Sequence, residues 1–316
     1  MSKKTVPIVN HDKLVELVKT HDKRASDIKS RLAPVLKGLW KSRRPNKVIS
    51  NEIDFQELRI SFPQFKEVIN YIQLQANVSK KFNRPFKLSP ILLLGDAGLG
   101  KTLFASETAK LLKLPYFEMS LATVTAGFAL SGTSLQWGEG SPGFIIKALA
   151  ESKTANPIIL IDEIDKAGGD TRYSVISSFY TLLEPHTASR FKDEAISLEL
   201  DASNVSWIAT ANESSTINRP ILSRMKLFRI KQPLPTEMLG VIDSIYSMLL
   251  KHNSLESFLT ASLVEEVKQQ LAYLSPREVR LSLEEAMMKA FLDQRDRVCV
   301  DDLPSIKQEV QRVGFL

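Results

Sequence analysis

At 316 residues, 43 % apolar and 25 % charged, the chain is long enough to bury a sizeable core in about two domains. No apolar run approaches the ~20 residues of a membrane span, the first residues lack the apolar segment of a secretory signal, and a single cysteine, Cys299, excludes an internal disulfide. The expectation is a cytoplasmic protein without membrane contact. The net charge of +6 is uneven: residues 1–50 hold 13 Lys or Arg against 4 Asp or Glu, and the remaining residues hold 29 against 32.

Residues 11–45 read as helix in pieces, with Leu14, Val15, Leu17 and Val18, then Ile28, Leu32, Val35 and Leu36 at helical spacing. Trp40 and the basic run Lys41-Ser42-Arg43-Arg44 follow. Such a run is usually a solvated face; the alternative is contact with nucleic acid or another acidic partner through residues 1–50. Residues 46–62 read as a linker with a short extended piece, and Phe65–Val78 as an amphipathic helix. His11, His21, His186 and His252 show no metal-ligand spacing.

The most informative stretch is Leu88–Thr102, LSPILLLGDAGLGKT. Ile91–Leu94 is a short apolar run suited to a strand buried on both faces of a parallel sheet. Gly95-Asp96-Ala97-Gly98-Leu99-Gly100-Lys101-Thr102 then fits G-x-x-x-x-G-K-[ST], and Leu103 continues into a helical pattern. A triphosphate needs several donors aimed into one concavity. Glycines let backbone N–H groups close on it, and a helix beginning near Lys101 adds its unpaired N–H groups. Residues 95–103 are therefore expected to hold the nucleotide. Lys101 would reach the β- and γ-phosphates and the Thr102 hydroxyl would ligate Mg²⁺.

Beyond this helix, Pro115–Leu121 reads as a second strand. Residues 122–143, rich in Gly, Ser and Thr, carry Phe128 and Trp137; Phe144–Ser152 reads as a short helix. Pro157-Ile158-Ile159-Leu160-Ile161-Asp162-Glu163 is a third strand ending in adjacent carboxylates, at the end where open α/β sheets face their ligands. Asp162 suits the Mg²⁺ shell, and Glu163 suits a base that polarises a water for attack on the γ-phosphate. Residues 172–184 read as a helix carrying Arg172, Phe191–Leu200 as a hairpin, Val205–Asn212 as a fourth strand and Leu227–Ile230 as a fifth. Pro233 and Pro235 mark a boundary, after which helices are expected over 236–251, 261–273, 276–295 and 301–312. Ser275-Pro276 opens the third of these as N-cap and first-turn proline.

This order of motifs resembles the AAA+ ATPases, most closely the ATPase module of Lon-type proteases, over about residues 60–310. LLLGDAGLGKT is similar to that family's Walker A segment, with Asp96-Ala97 where two prolines are usual. Ser141-Pro142-Gly143 resembles its M-P-G, NPIILIDEIDKAGGDTRYSV its Walker B and following helix, and VSWIATAN its sensor-1 strand. LSRM resembles the arginine-finger segment and SPREVR the sensor-2 helix.

The resemblance implies a P-loop NTPase fold: a five-stranded parallel sheet over residues 61–233, an all-helical lid over 234–316, and a basic helical N-terminal extension and linker over 1–60. It implies that Asn212 is sensor 1, that Arg224 reaches a neighbour's γ-phosphate, that Arg172 is a second arginine at that boundary, and that Arg277 contacts nucleotide from the lid. Trp137 would take the place of the pore-loop aromatic that grips a threaded polypeptide. Each has a plainer structural alternative: a strand-end cap for Asn212, a solvated face for Arg172 and Arg224, pairing with Glu278 or Glu284 for Arg277, and a loop anchor for Trp137. Lon proteases carry a Ser–Lys peptidase domain after the lid and a large region ahead of the ATPase, and this sequence shows neither. The expectation is a Mg²⁺-dependent ATPase acting as a homo-oligomeric ring, a hexamer, that remodels or threads protein without its own protease. The alternatives are a nucleic-acid-associated motor or loader, and an assembly switch without threading.

Overall fold

The computed structural model describes residues 5–21, 26–123, 128–135, 140–167 and 175–304. It divides into two compact units. The first comprises residues 1–55, 67–97 and 101–230, and the second residues 56–66, 98–100 and 231–316.

In the first unit, Thr5–Pro7 (β1) pairs antiparallel with Arg43–Pro45 (β2), and between them lie His11–His21 (α1) and Ser26–Leu39 (α2). Leu14, Leu32, Val35, Leu36 and Leu39 are buried, so the helical spacing read from the sequence marks a core-facing stripe. These residues join the core cluster of the α/β unit, where α2 packs on Phe144–Glu151 (α7). The bridge between Val9 and Leu200 and the bond from Asp201 N–H to the Ile8 carbonyl, 2.9 Å, fasten the segment further. Part of the basic run is spent internally. Arg44 is buried, its Nε donates to the Ser152 carbonyl at 2.9 Å, and its Nη2 donates to the Gly38 carbonyl. Burial lowers its pKa. Arg31 Nη1 donates to the Gly140 carbonyl at 2.8 Å, and Arg43 Nη2 to that of Thr5 at 2.7 Å.

The expected linker over residues 46–62 holds more structure than its composition suggested. Val48 bridges to Pro85, and Gln56–Ser61 (α3) is a helix of good helix formers with Leu58 buried. Lys66–Phe82 (α4) follows and ends four residues beyond the periodic stretch, where Ser79 is also buried and its hydroxyl donates to the Arg84 carbonyl.

The central sheet is parallel throughout, in the order β4-β5-β8-β3-β9. Its strands are Ile91–Leu94 (β3), Tyr116–Ser120 (β4), Ile158–Asp162 (β5), Ser206–Ala211 (β8) and Lys226–Arg229 (β9). Apart from Asp162 at the end of β5, the interior strands β3, β5 and β8 are buried along their length; β3 and β5 therefore read as apolar runs, while β8 buries Ser206 and Thr210 among its apolar residues. Edge strand β9 is largely exposed and carries Lys226 and Arg229, charges that discourage pairing with a further strand. The hairpin expected at 191–200 is Phe191–Lys192 (β6) with Glu199–Leu200 (β7). Lys101–Leu112 (α5), Phe128–Ser131 (α6), Val175–Leu182 (α8), Pro185–Ala188 (α9) and Arg219–Leu222 (α10) complete the described α-helices of this unit. Because β8 lies between β3 and β5, the ends of all three strands are adjacent, and the loops leaving them share one place.

The second unit is built on Pro235–His252 (α11), Glu265–Leu271 (α12) and Pro276–Leu292 (α13). Met238, Ile242, Tyr246 and Leu249 pack with Val267, Leu271, Leu283 and Met287 in one core. The buried Tyr246 ring keeps its hydroxyl satisfied by donating to the Thr260 carbonyl, 2.8 Å. Ser275 caps α13 as expected: its Oγ accepts from Glu278 N–H at 3.4 Å, and Glu278 Oε2 accepts from Ser275 N–H at 2.8 Å. Residues 301 and 302, within the last expected helix, end a single 3₁₀ turn, Val300–Asp302; positions past 304 lie outside the described residues.

Candidate active site

The site grows from the end of β3. Gly95 N–H donates to the Ala211 carbonyl at 3.1 Å, and Ile230 N–H donates to the Leu94 carbonyl at 2.7 Å. A Cβ on Gly95 would stand 2.2 Å from the Ile230 carbonyl oxygen, so this position admits only glycine. Gly98 and Gly100 have φ of +85° and +83°, the left-handed region that curls the loop. Asp96 and Ala97 are exposed on its outer side and Leu103 on the first turn of α5.

Residues 98–100 cluster with the second unit. Gln64 Nε2 donates to the Leu99 carbonyl at 3.0 Å, and Leu99 is buried. A Cβ placed on Gly98 would lie 3.1 Å from Arg277 Cβ, so the aliphatic stem of Arg277 runs beside the glycine turn. Arg280, one turn further on, takes Glu284 at 2.9 Å.

Lys101 opens α5 and is 8 % exposed. Its Nζ donates to the Gly95 carbonyl, to the Asp96 carbonyl at 2.8 Å and to Asn212 Oδ1 at 3.0 Å. Burial pulls its pKa below that of an ordinary lysine, while the carboxylates of Asp162, Asp165, Asp96 and Glu163 push it back up. Asn212 follows β8 directly, which places the loop lysine and the strand-end amide in direct contact.

The carboxylates occupy the end of β5. Asp162 Oδ1 accepts from Thr102 Oγ1 at 3.1 Å and from Thr210 Oγ1. Glu163 has φ 56° and ψ 51°, left-handed backbone that costs a non-glycine residue roughly 1–3 kcal/mol and clusters at functional positions. Its N–H donates to Thr210 Oγ1 at 2.9 Å. Two residues on, Asp165 Oδ2 accepts from the N–H groups of Asn212 at 3.1 Å and Glu213 at 3.3 Å. These contacts make a network of two hydrogen-bonded groups inside the first unit, Lys101 with Asn212 and Asp165, and Thr102 with Asp162, Thr210 and the Glu163 backbone.

Among the described residues no group of three or more His, Cys, Asp or Glu forms a metal cage. A hydroxyl and a carboxylate oxygen 3.1 Å apart are instead the hard-oxygen pair that fits Mg²⁺ bound jointly with substrate phosphates. Thr102 and Asp162 therefore suit that ion.

Arg224 stands apart from this network. Its Nε lies 2.9 Å from Glu184 Oε1 in an ion pair whose angle is not that of a hydrogen bond. Nη1 donates to the Pro220 carbonyl at 2.7 Å, and the guanidinium lies 5.7 Å from the centre of the Tyr180 ring. Arg172 and Trp137 fall outside the described residues. The sequence does not single out Thr210 or Asp165. Thr210 has the pattern of an ordinary β-branched strand residue, whereas Asp165 carries a signal as a third acid close behind Asp162 and Glu163.

Residues 91–234 match the family described as ATPase family associated with various cellular activities (AAA). The Lon protease of Malacoplasma penetrans is 31 % identical over 215 residues, covering 68 % of this chain and 26 % of that protein. Lon protease 1 of Borreliella burgdorferi is 28 % identical over 290 residues, covering 77 % and 36 %. The chain thus spans about a quarter to a third of the length of these relatives. Among solved structures, the Thermotoga maritima RuvB Holliday junction branch migration motor superposes with a TM-score of 0.51 at 18 % identity, over 78 % of this chain and 71 % of that one; a likeness at that identity speaks to the fold alone. The chain carries an AAA-family ATPase domain over residues 91–234, related to the AAA module of Lon proteases.

Proposed function

We propose that this chain binds ATP with Mg²⁺, hydrolyses it, and couples turnover to work on protein substrates as a homo-oligomeric ring, a hexamer. The observation that carries the reading is the convergence of Lys101, Thr102, Asp162, Glu163 and Asn212 at the carboxyl ends of three adjacent strands. In this reading residues 95–103 wrap the phosphates. Lys101 exchanges its carbonyl partners for β- and γ-phosphate oxygens. Glu163 takes a proton from the attacking water as the bond to the γ-phosphorus forms and the bridging oxygen leaves with ADP. Asn212 orients that water. Bound Mg²⁺, held by Thr102 and Asp162, would neutralise charge across the β- and γ-phosphates.

Arg224 would leave Glu184 for the γ-phosphate of a neighbouring copy, which is the reason for a ring. Arg277, beside Gly98, would contact the nucleotide, Arg172 would stand as a second arginine at the boundary, and Trp137 would line the channel. Work on protein is favoured over work on nucleic acid because Arg31, Arg43 and Arg44 of the basic segment are engaged internally.

The test separates binding from turnover. Lys101→Ala should weaken ATP binding; Glu163→Gln should bind ATP and turn over very slowly, because an amide is no base. A Glu163→Gln variant hydrolysing at the parent rate refutes the assignment. Stimulation of the parent by unfolded protein supports the remodelling role; stimulation by DNA or RNA alone, or by neither, refutes it.

A further inference from the structure

We propose that Thr210 is a positioning residue for hydrolysis: its one hydroxyl braces the metal-facing carboxylate of Asp162 and the left-handed backbone of Glu163 at the same time. The proposal rests on the roles given above to Asp162 and Glu163.

The argument begins with the sheet. β5 and β8 pair from Ile158↔Ser206 to Ile161↔Ala209, and there the named register ends. Were it continued, Asp162 would face Thr210. Instead the chain turns at Glu163, where φ is 56°, and the Glu163 N–H lies beyond the named ladder. A backbone N–H withdrawn from water must find an acceptor, or its desolvation is uncompensated. Thr210 Oγ1 supplies one at 2.9 Å.

A hydroxyl has one proton to give and two lone pairs to receive with. Having accepted the Glu163 N–H, Oγ1 gives its proton to Asp162 Oδ1. Donation to an ionised carboxylate is the stronger kind of hydrogen bond, and here it fixes the carboxylate plane. The same Oδ1 also accepts from Thr102 Oγ1, 3.1 Å away. Once Thr102 turns its oxygen towards a metal ion, Thr210 is the hydroxyl that still orients Oδ1. Thr210 is 1 % exposed, so water cannot substitute for it.

The plain alternative is that Thr210 only satisfies a strand end. The two differ in what they disturb. A strand-end cap affects stability, whereas a brace on Asp162 affects metal-dependent nucleotide affinity and turnover. Groups that orient metal-facing carboxylates typically cost 10–100-fold in affinity or activity when removed.

The experiment compares the full-length parent with Thr210→Val, which keeps the shape without the hydroxyl, and Thr210→Ser, which keeps the hydroxyl. Binding of a fluorescent ATP analogue is measured in EDTA and in Mg²⁺, alongside kcat, KM and urea unfolding. Thr210→Val should bind as the parent does in EDTA, lose roughly tenfold of the affinity gained on adding Mg²⁺, and lose about 10–100-fold in kcat with a smaller change in KM. Thr210→Ser should recover both to within about threefold. If Thr210→Val unfolds, Thr210→Ala is read in its place.

A folded Val or Ala variant with the parent's Mg²⁺ gain and kcat overturns the proposal. So does a Ser variant as impaired as Val. Glu163→Gln runs alongside: a slow Glu163→Gln beside a full-speed Thr210→Val removes the brace alone. A Glu163→Gln that hydrolyses like the parent removes the underlying assignment, and the brace with it.

Discussion

Asp193 allows a prediction whose sign and size follow from its surroundings. It is fully buried. Oδ2 accepts from Gly143 N–H at 2.8 Å, and Oδ1 accepts from Ala195 at 3.0 Å and Ile196 at 3.2 Å. Burial raises its pKa from 3.8 to about 6 against the pull of those three N–H donors, with a smaller upward push from Glu194. A carboxyl whose folded pKa lies above its unfolded value stabilises the fold when protonated. That contribution is complete below the unfolded pKa and is lost as pH rises through about 6. A shift of about two units corresponds to roughly 3 kcal/mol in full, of which about 1.4 kcal/mol returns between about pH 7.5 and about pH 5.

Asp193→Asn removes this titration. It also sets an NH₂ against Gly143 N–H, costing about 1–3 kcal/mol, so at neutral pH loss and relief nearly cancel. The pH dependence is the clean readout. Urea unfolding followed by tryptophan fluorescence reports the first unit, since the second contains no tryptophan. Parent stability minus variant stability should rise by about 1.4 kcal/mol from about pH 7.5 to about pH 5. Equal differences at the two pH values would refute the reasoning, because every other titrating group is common to both proteins.

Gly95→Ala should cost at least about 2 kcal/mol in urea unfolding, because its Cβ meets the Ile230 carbonyl, backbone that the sheet holds in place. Glu163→Gly should raise the midpoint of thermal unfolding, by relief of roughly 1 kcal/mol of left-handed strain, while abolishing ATP hydrolysis; an unchanged midpoint would show the turn to be unstrained. Arg224→Ala should change stability by less than about 1 kcal/mol, since its pair with Glu184 is partly exposed, yet lower hydrolysis by about 10³ or more. Mixed with Lys101→Ala it should recover activity, and no recovery in co-assembled rings would rule out action across subunits.

The parts legible in the sequence were those carried by contiguous pattern. Ile91–Leu94 and Ile158–Ile161 read as strands because burial on both faces favours unbroken apolar runs, and Ser206–Ala211 reads as one although it buries two hydroxyls. The residues between Gly95 and Thr102 read as a phosphate loop because the motif is compressed into eight positions. What required the structure was long-range. Arg44 sits in a basic run that looks solvated, but its guanidinium meets the Ser152 carbonyl 108 positions away. Gln56–Ser61 has too few apolar residues for a visible period and is helical because Leu58 found a place to be buried. The left-handed turn at Glu163 and the hydroxyl that receives its N–H come from different strands, and no local pattern joins them.

The fastening of the chain's beginning to residues 200 and 201 bears on how the protein is born. Val9 and Leu200, bridged in the fold, are about 190 positions apart in the chain. Synthesis proceeds at roughly 5–20 residues per second, so β1 and its neighbouring helices emerge about 10–40 s before that edge exists. Until then Ile8, Leu14, Leu32 and Leu39, later sealed in the core, have only part of their eventual cover, first from the neighbouring β1, β2, α1 and α2 and then from α7. A nascent chain caught before α7 emerges would present an amphipathic, positively charged face whose docking place is not yet made. The helices expected to form first are thus the ones that must wait longest to be covered, and a factor that shields them on the ribosome would raise the yield of folded protein without changing its final stability.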